Sequence, residues 1–242
     1  MQEKVLAVVT RAVNYRDHDR VLTLVTRTRG RLTVTAHGCR KPQSRLMSCV
    51  QPFCYGEYEL GERGGRRYVR ACELRENFYA LRLDPQVLTA ASMACVAAEE
   101  FANPEEDNAR HFALLLYTLD ALCQPGCDVP GVLVFFFLKL FTFSGYRPQA
   151  DACVHCGNTE HLVRYDAQEG GAVCTTCAPQ ALTARRISAA ALQALRALPD
   201  VPSACYGEIR AALSPVAGEL LPLMRQTFAA LTDRKLPSLD IF

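Results

Sequence analysis

Four cysteines carry the sharpest spacing in this 242-residue chain. Cys153 and Cys156 form one Cys-x-x-Cys pair, and after 17 further residues Cys174 and Cys177 form a second. Each pair makes a tight turn that aims two sulfurs at one point. Two such turns complete a tetrahedron of thiolates about 2.3 Å from a single ion, the pattern of a zinc site. His155 and His161 stand close by as competing ligands, but four cysteines already fill the shell. A filled shell has no position for water or substrate, so the spacing predicts one structural Zn2+ and not a catalytic one. Between the pairs, EHLVRYDAQEGGAVC reads as a short hairpin.

The second concentration of chemistry is charge without a motif. Arg11, Arg16, Arg20, Arg27, Arg29, Arg31, Arg40, Lys41 and Arg45 crowd the first 45 residues, opposed there only by Glu3, Asp17 and Asp19. Arg27, Arg29 and Arg31 surround one predicted turn. Arg40, Lys41 and Arg45 sit on the loop after the next strand. Joined as one stripe, extended by Arg67 and Arg70, they would neutralise phosphates and release counterions. Tyr15, Tyr55 and Tyr68 are candidates for base stacking or, equally, for core packing. Residues 1–80 carry a net charge of +7 and residues 81–242 a net −5, within a chain total of +2. A basic first third points to a polyanion-binding module joined to a different body. No Gly-rich phosphate loop of the Walker type, Gly-x-Ser-x-Gly or His-Glu-x-x-His is present, so the reading is a binding protein and not an enzyme.

The elements that must position these groups change type near residue 80. KVLAVVTRAV and RVLTLVT are rich in β-branched residues. In RLTVTAHG, Leu32, Val34 and Ala36 alternate with Arg31, Thr33, Thr35 and His37, the period of a half-buried strand. Gly30 supplies a positive φ for the turn TRTRGR. PFCYGEYEL and RRYVRACEL make a further strand pair. Five strands with no long helix between them predict a small barrel. From Pro85 the texture is helical. PQVLTAASMACVAAEEFA and NPEEDNARHFALLLYTLDALC come first, the latter with Glu105–Asp107 near its start. VLVFFFLKLFTFSGY follows, ended by Gly145 and Pro148. SAAALQALRAL has Ser188 as its N-cap, and a last helix runs from about Pro215 to Leu231. The predicted class is α+β, with an N-terminal barrel domain over 1–80 and a helical domain over 81–242. A zinc module at 150–180 is inserted in the second.

Half of the residues are hydrophobic and 21% are charged, which excludes a disordered chain. The longest apolar run, VPGVLVFFFLKLFTF, is interrupted by Lys139 and is shorter than the roughly 18–20 residues of a membrane helix. It reads as a buried core helix. Eight of the 12 cysteines lie outside the paired motifs, Cys39, Cys49, Cys72 and Cys95 among them. They share no spacing and read as small buried hydrophobes in a reducing cytoplasm.

In order and spacing, these pieces resemble the RecO family of bacterial recombination and DNA-repair proteins. The densest part is YRDHDRVLTLVTRTRGRLTVTAHGCRKPQSRLMSCVQPF. GYRPQADACVHCG and GGAVCTTC look like the family's zinc segment, and SAAALQALRAL and DRKLPSL sit where its last helices do. The resemblance implies that the barrel is an OB-fold and that the helical domain carries the zinc. It implies binding of single- and double-stranded DNA, annealing of complementary strands, and work with RecR in loading RecA onto strands coated by single-strand-binding protein. It also implies a cytoplasmic, nucleoid-associated protein. A docking pocket for the tail of single-strand-binding protein is expected on the helical domain, where Lys139 is the basic residue VLVFFFLKLF offers. Thr33 and His37 stand where the family's third strand often carries further basic residues. The alternative from the residues alone is a non-enzymatic zinc-containing adaptor for RNA or protein partners, separable by its nucleic-acid preference.

Overall fold

A computed structural model describes residues 2–104 and 106–237. Glu105, and Ser238 and Leu239 at the end of the DRKLPSL segment, lie outside the described residues. The chain divides after Cys123 into two compact units.

In the first unit, five strands close into a barrel in the order β1-β2-β3-β5-β4. They are β1 (Gln2–Tyr15), β2 (Asp19–Thr26), β3 (Arg31–Ala36), β4 (Tyr55–Arg63) and β5 (Arg66–Glu76). The long β1 makes closure possible. Its first half pairs with β4, from Gln2↔Gly61 to Val8↔Tyr55, and its second half with β2, from Ala7↔Thr26 to Tyr15↔Asp19. A register shift between Val9 and Arg11 marks the bulge that lets one strand serve two neighbours. The parallel contact of β3 with β5, at Thr35↔Tyr68, completes the ring. This is the five-stranded OB-like arrangement. As the alternation requires, Leu32, Val34 and Ala36 point inward with Val5, Val9, Leu22, Leu24 and Leu60. Tyr58 is fully buried and satisfies its hydroxyl by donating to the Cys49 carbonyl at 2.8 Å. Cys39, Cys49 and Cys54 fill the same core.

Gly30 closes the β2–β3 turn with φ +59°, and a Cβ there would lie 1.6 Å from the Asn103 carbonyl oxygen. Glycine is therefore needed twice, for the turn and for the close approach of the segment after α1 (Pro85–Phe101). Asp84 caps α1, accepting from the Gln86 N–H at 2.7 Å, with Pro85 at the first helical position. The helix α2 (Ala109–Cys123) follows in the same unit, with the Ala109 N–H donating to Asp107 at 2.9 Å.

The second unit holds α3 (Val129–Phe143), β6 (Leu162–Asp166), β7 (Gly171–Cys174), β8 (Arg185–Arg186), α4 (Ala189–Ala197) and α5 (Tyr206–Thr232). α3 is buried on all sides, its phenylalanines packing on one another and on Phe228 of α5. That explains an apolar run with no polar stripe. Ser188 caps α4 as expected, accepting from the Ala191 N–H at 3.1 Å. α5 starts at Tyr206, nine residues before the expected Pro215, and contains Pro215 and Pro222. A proline reads as a helix start because it lacks an N–H. Here packing of Leu213, Val216 and Leu220 carries the helix through it. No helix among the described residues is long and apolar enough to cross a membrane.

Candidate nucleic-acid interface and metal centre

The barrel has two basic ends. At one, the β2–β3 turn carries Arg27, Arg29 and Arg31. At the other lie the β1–β2 turn with Arg16, the loop after β3 with Arg40, Lys41 and Arg45, and the β4–β5 turn flanked by Arg63 and Arg66. The six residues of β3 separate the ends by roughly 20 Å at about 3.3 Å per residue. The two arginine groups thus fall at opposite ends of β3 and do not meet at one spot.

Their charges are also spent differently. Arg29 Nε lies 3.4 Å from a Glu3 carboxylate oxygen. Arg31 donates to the Glu99 carbonyl at 3.3 Å and approaches the Glu100 carboxylate at 3.7 Å. Arg20 is half-buried, donating to Asn14 at 3.2 Å and to the Val50 carbonyl at 3.0 Å. Arg11 sits on β1 beside the bulge and donates to Thr23 Oγ1 at 3.4 Å. By contrast, Arg16, Arg27, Lys41 and Arg45 are exposed and have no carboxylate in ion-pair range among the described residues.

At the second end the loops are tied together. The Arg40 backbone N–H donates to the His18 carbonyl at 3.0 Å, and its guanidinium donates to the Asp17 carbonyl at 3.1 Å. Asp19 accepts from the Gly38 N–H at 2.7 Å and meets His37 Nδ1 at 2.8 Å. The Gly38 bond first, then His37, hold its carboxyl below the usual carboxylate range. Between the loops a groove opens on the outer face of β2 and β3, lined by Tyr15, Val21, Thr33, Thr35, Arg66 and Arg67 and by one carboxylate, Glu62. Tyr15 is 41% exposed and the Arg16 guanidinium lies 5.1 Å from its ring centre. The other two tyrosines are half-buried. Tyr55 meets Phe112 edge-on at 6.0 Å, and Tyr68 lays its ring across Gly61, where a Cβ would come within 2.6 Å. The β2–β3 face between these two loops is where OB-folds take oligonucleotides. Arg66 had no place in the sequence reading because only closure of the barrel brings the β4–β5 turn beside β3.

The four cysteines of the second unit do meet. The Sγ atoms of Cys153, Cys156, Cys174 and Cys177 all lie within 4.8 Å of one another. Two matching turns present them: the Gly157 N–H donates to the Cys153 carbonyl at 2.8 Å, and the Ala178 N–H to the Cys174 carbonyl at 2.9 Å. Cys156 Sγ and Cys174 Sγ are 3.7 Å apart. A tetrahedron with metal–sulfur bonds of 2.3 Å has an edge of about 3.8 Å, so the spacing fits one ion at the centre. His155 and His161 are exposed and outside the cluster. Burial raises the Cys153 thiol, but the N–H groups of Cys174, His155 and Cys156 outweigh it and bring it to about 6. Cys177 is pushed up to about 12, first by its contact with Cys156 and then by burial. Crowded thiolates resist joint ionisation, and a central dication removes that penalty. The hairpin β6–β7 carries Cys174 at its end, and β8 adds a third strand beside β6 that the spacing did not reveal.

Lys139 is 4% exposed, and its ammonium donates to the Pro199 carbonyl at 2.7 Å inside the second unit. Burial lowers its pKa, with Asp200 opposing. It therefore presents no charge at the surface, contrary to its expected place beside a docking pocket.

Comparison with known proteins covers nearly the whole chain. Residues 1–78 match the family model described as Recombination protein O N terminal, and residues 82–240 match Recombination protein O C terminal. The DNA repair protein RecO of Anaeromyxobacter sp. (strain K) is 35% identical over 233 residues, covering 95% of this chain and 88% of that protein. The DNA repair protein RecO of Desulforudis audaxviator is 35% identical over 81% of this chain and 78% of its own. That of Symbiobacterium thermophilum is 29% identical over 96% and 92%. Two family models that follow one another along the barrel and the helical part, together with these relatives, establish that the chain belongs to the RecO family.

Proposed function

We propose that this protein is a DNA-binding recombination mediator acting in DNA repair, without enzymatic chemistry of its own. The observation that carries the reading is the groove on the β2–β3 face of the barrel, flanked by loops bearing Arg16, Arg40, Lys41, Arg66 and Arg67 and floored in part by Tyr15. Annealing asks for phosphates neutralised and bases left free to pair. Side-chain cations on a rigid barrel supply the first, and an open groove leaves the second undisturbed. Single-stranded DNA follows the groove, while double-stranded DNA needs only the basic loops. Arg11, Arg20, Arg27, Arg29, Arg31 and Arg45 contribute to the surrounding field, with Arg29 and Arg31 weakest because acids oppose them.

The cysteine cluster is assigned one structural Zn2+ held by Cys153, Cys156, Cys174 and Cys177. Its binding energy acts as folding energy for the loops around it. Residues 1–80 are assigned to DNA binding and 81–242, with the zinc module at 150–180, to a helical domain. RecR and single-strand-binding protein are the proposed partners, and RecA loading onto coated strands the proposed outcome. The barrel reading is tested by annealing complementary oligonucleotides coated with single-strand-binding protein, with and without this protein. Acceleration supports it. No acceleration, with tight binding of RNA instead, favours an adaptor for RNA or protein.

A further inference from the structure

Two thiols of the barrel meet one another. Cys49 ends a short helical turn (Met47–Cys49) in the loop after β3, and Cys72 lies on β5. Cys49 is 2% exposed, and its thiol donates to the Cys72 carbonyl at 3.8 Å. The two sulfurs are themselves in hydrogen-bond contact. Cys72 is half-buried and gives the pair a face on solvent. Tyr58 fixes both sides of the contact. It pairs with Cys72 across β4 and β5, and its hydroxyl donates to the Cys49 carbonyl at 2.8 Å. The backbone on each side is therefore held while the sulfurs touch.

The contact changes the chemistry of the thiols. Burial pushes Cys39, Cys54 and Cys95 up, as it does any isolated buried thiol. At Cys49 the Cys72 thiol outweighs burial and, with the Ser48 hydroxyl at 3.6 Å, holds the thiol down at about 6. Cys72 is pushed up by the same contact and then by burial. The pair thus loses one proton readily and keeps the second. A thiolate touching a thiol, with one of the two open to solvent, is how a redox-sensing cysteine stands beside its resolving partner. Cys54, the third thiol of this corner, is 1% exposed and turned away, donating to the Ser48 carbonyl at 3.2 Å.

We propose that Cys49 and Cys72 form a reversible disulfide on meeting a hydroperoxide, and that the bond fastens the loop after β3 to β5. The thiolate of the pair attacks a peroxide oxygen. The O–O bond breaks, the alkoxide leaves and takes up a proton as the alcohol, and the sulfur becomes a sulfenic acid. The second thiol loses its proton and attacks that sulfur; the S–O bond breaks and water leaves. Two electrons pass from the sulfurs to the peroxide, and a dithiol reductant returns them. Disulfides of this transient kind are the ones that suit a reducing compartment. The fastened loop carries Lys41 and Arg45, so the bond would restrict cations used in DNA binding. That consequence rests on the DNA reading, whereas the bond does not.

The full chain and its Cys54→Ser variant are treated with hydrogen peroxide near neutral pH, alkylated, and digested with trypsin without reduction. Cleavage after Arg45, Arg63, Arg70 and Arg75 places Cys49 in peptide 46–63 and Cys72 in peptide 71–75. In both proteins the two peptides should appear in the mass spectrum as one species, lighter than their sum by a pair of hydrogens, and separate with dithiothreitol. Cys49→Ser and Cys72→Ser should show no such species. Amide hydrogen exchange over residues 38–48 should slow by about threefold or more in the linked chain and recover on reduction. Absence of the linked species in the full chain, or its loss in Cys54→Ser, overturns the disulfide. A link that leaves the exchange unchanged overturns the fastening of the loop. Oligonucleotide affinity is then compared between the linked and reduced chains, where equal values contradict the consequence for DNA alone and leave the bond standing.

Discussion

The barrel and the cysteine module are held up by different means. The barrel closes around its own apolar core, with Leu22, Leu24, Val34, Tyr58 and Leu60 inside, and each strand has a neighbour on both sides. The module has three short strands, and its core is little more than Val173, Ala181 and Ala184 packed about the sulfurs of Cys153 and Cys174. So small a core does not offset the cost of ordering its loops, on the order of 1–2 kcal/mol per residue. A metal held by the four cysteines would make up the difference. The barrel needs no such link, and Arg16, Lys41 and Arg45 stand exposed on its loops. Closed ligand shells stabilise, whereas recognition needs open charges on a rigid frame.

Breaking the module should have the largest effect. Structural zinc sites contribute on the order of 10 kcal/mol of apparent binding energy to folding. Cys174→Ser should therefore abolish stoichiometric zinc and the cooperative melt of the second unit, while DNA affinity stays within about twofold. Metal analysis and calorimetry on one preparation check this. Loss of DNA binding in a variant that still melts cooperatively would instead make the module a working part of the interface.

Breaking the basic face comes next. Lys41→Glu with Arg66→Glu and Arg67→Glu should weaken single-stranded DNA binding by about a hundredfold at low salt and leave the melting temperature unchanged. Arg29→Glu with Arg31→Glu should cost only a few-fold, because Glu3 and Glu100 already oppose those charges. Equal losses from the two variants, measured by anisotropy, would erase the distinction between the barrel's ends.

The smallest effect sharpens the comparison by pH. Asp19 has a folded pKa below its unfolded value, so its bonds to Gly38 and His37 stabilise the chain above about pH 4 and are lost as pH falls through the folded value. Asp19→Asn should lower the barrel's stability by about 1 kcal/mol at neutral pH, with the gap closing below about pH 4. A gap independent of pH in denaturant melts would mean the carboxylate does not tie these loops.

Legibility in the sequence followed the range of the interaction. Alternation in β3, Gly30 at its turn, the cap Ser188 and the cysteine spacing are all local, and the structure keeps them. Contacts that join distant segments were not legible. Arg31 meets Glu100, Arg66 comes beside Thr35, and Arg185 faces Lys235 only because the chain folds back on itself. Lys139 was expected beside a docking pocket because charge alone cannot show that a carbonyl at Pro199 waits to receive it. Pro215 looked like a helix start because packing that overrides a lost N–H leaves no mark in the local pattern.

The salt dependence of DNA binding separates the two regions most directly. It is measured on the full chain and on the Lys41→Glu/Arg66→Glu/Arg67→Glu variant, as the slope of log affinity against log salt. A DNA face at this end of the barrel predicts a steep slope for the full chain and one shallower by about 2 for the variant, at roughly 0.7 per lost phosphate contact on a single strand. Identical slopes in the two proteins would contradict it.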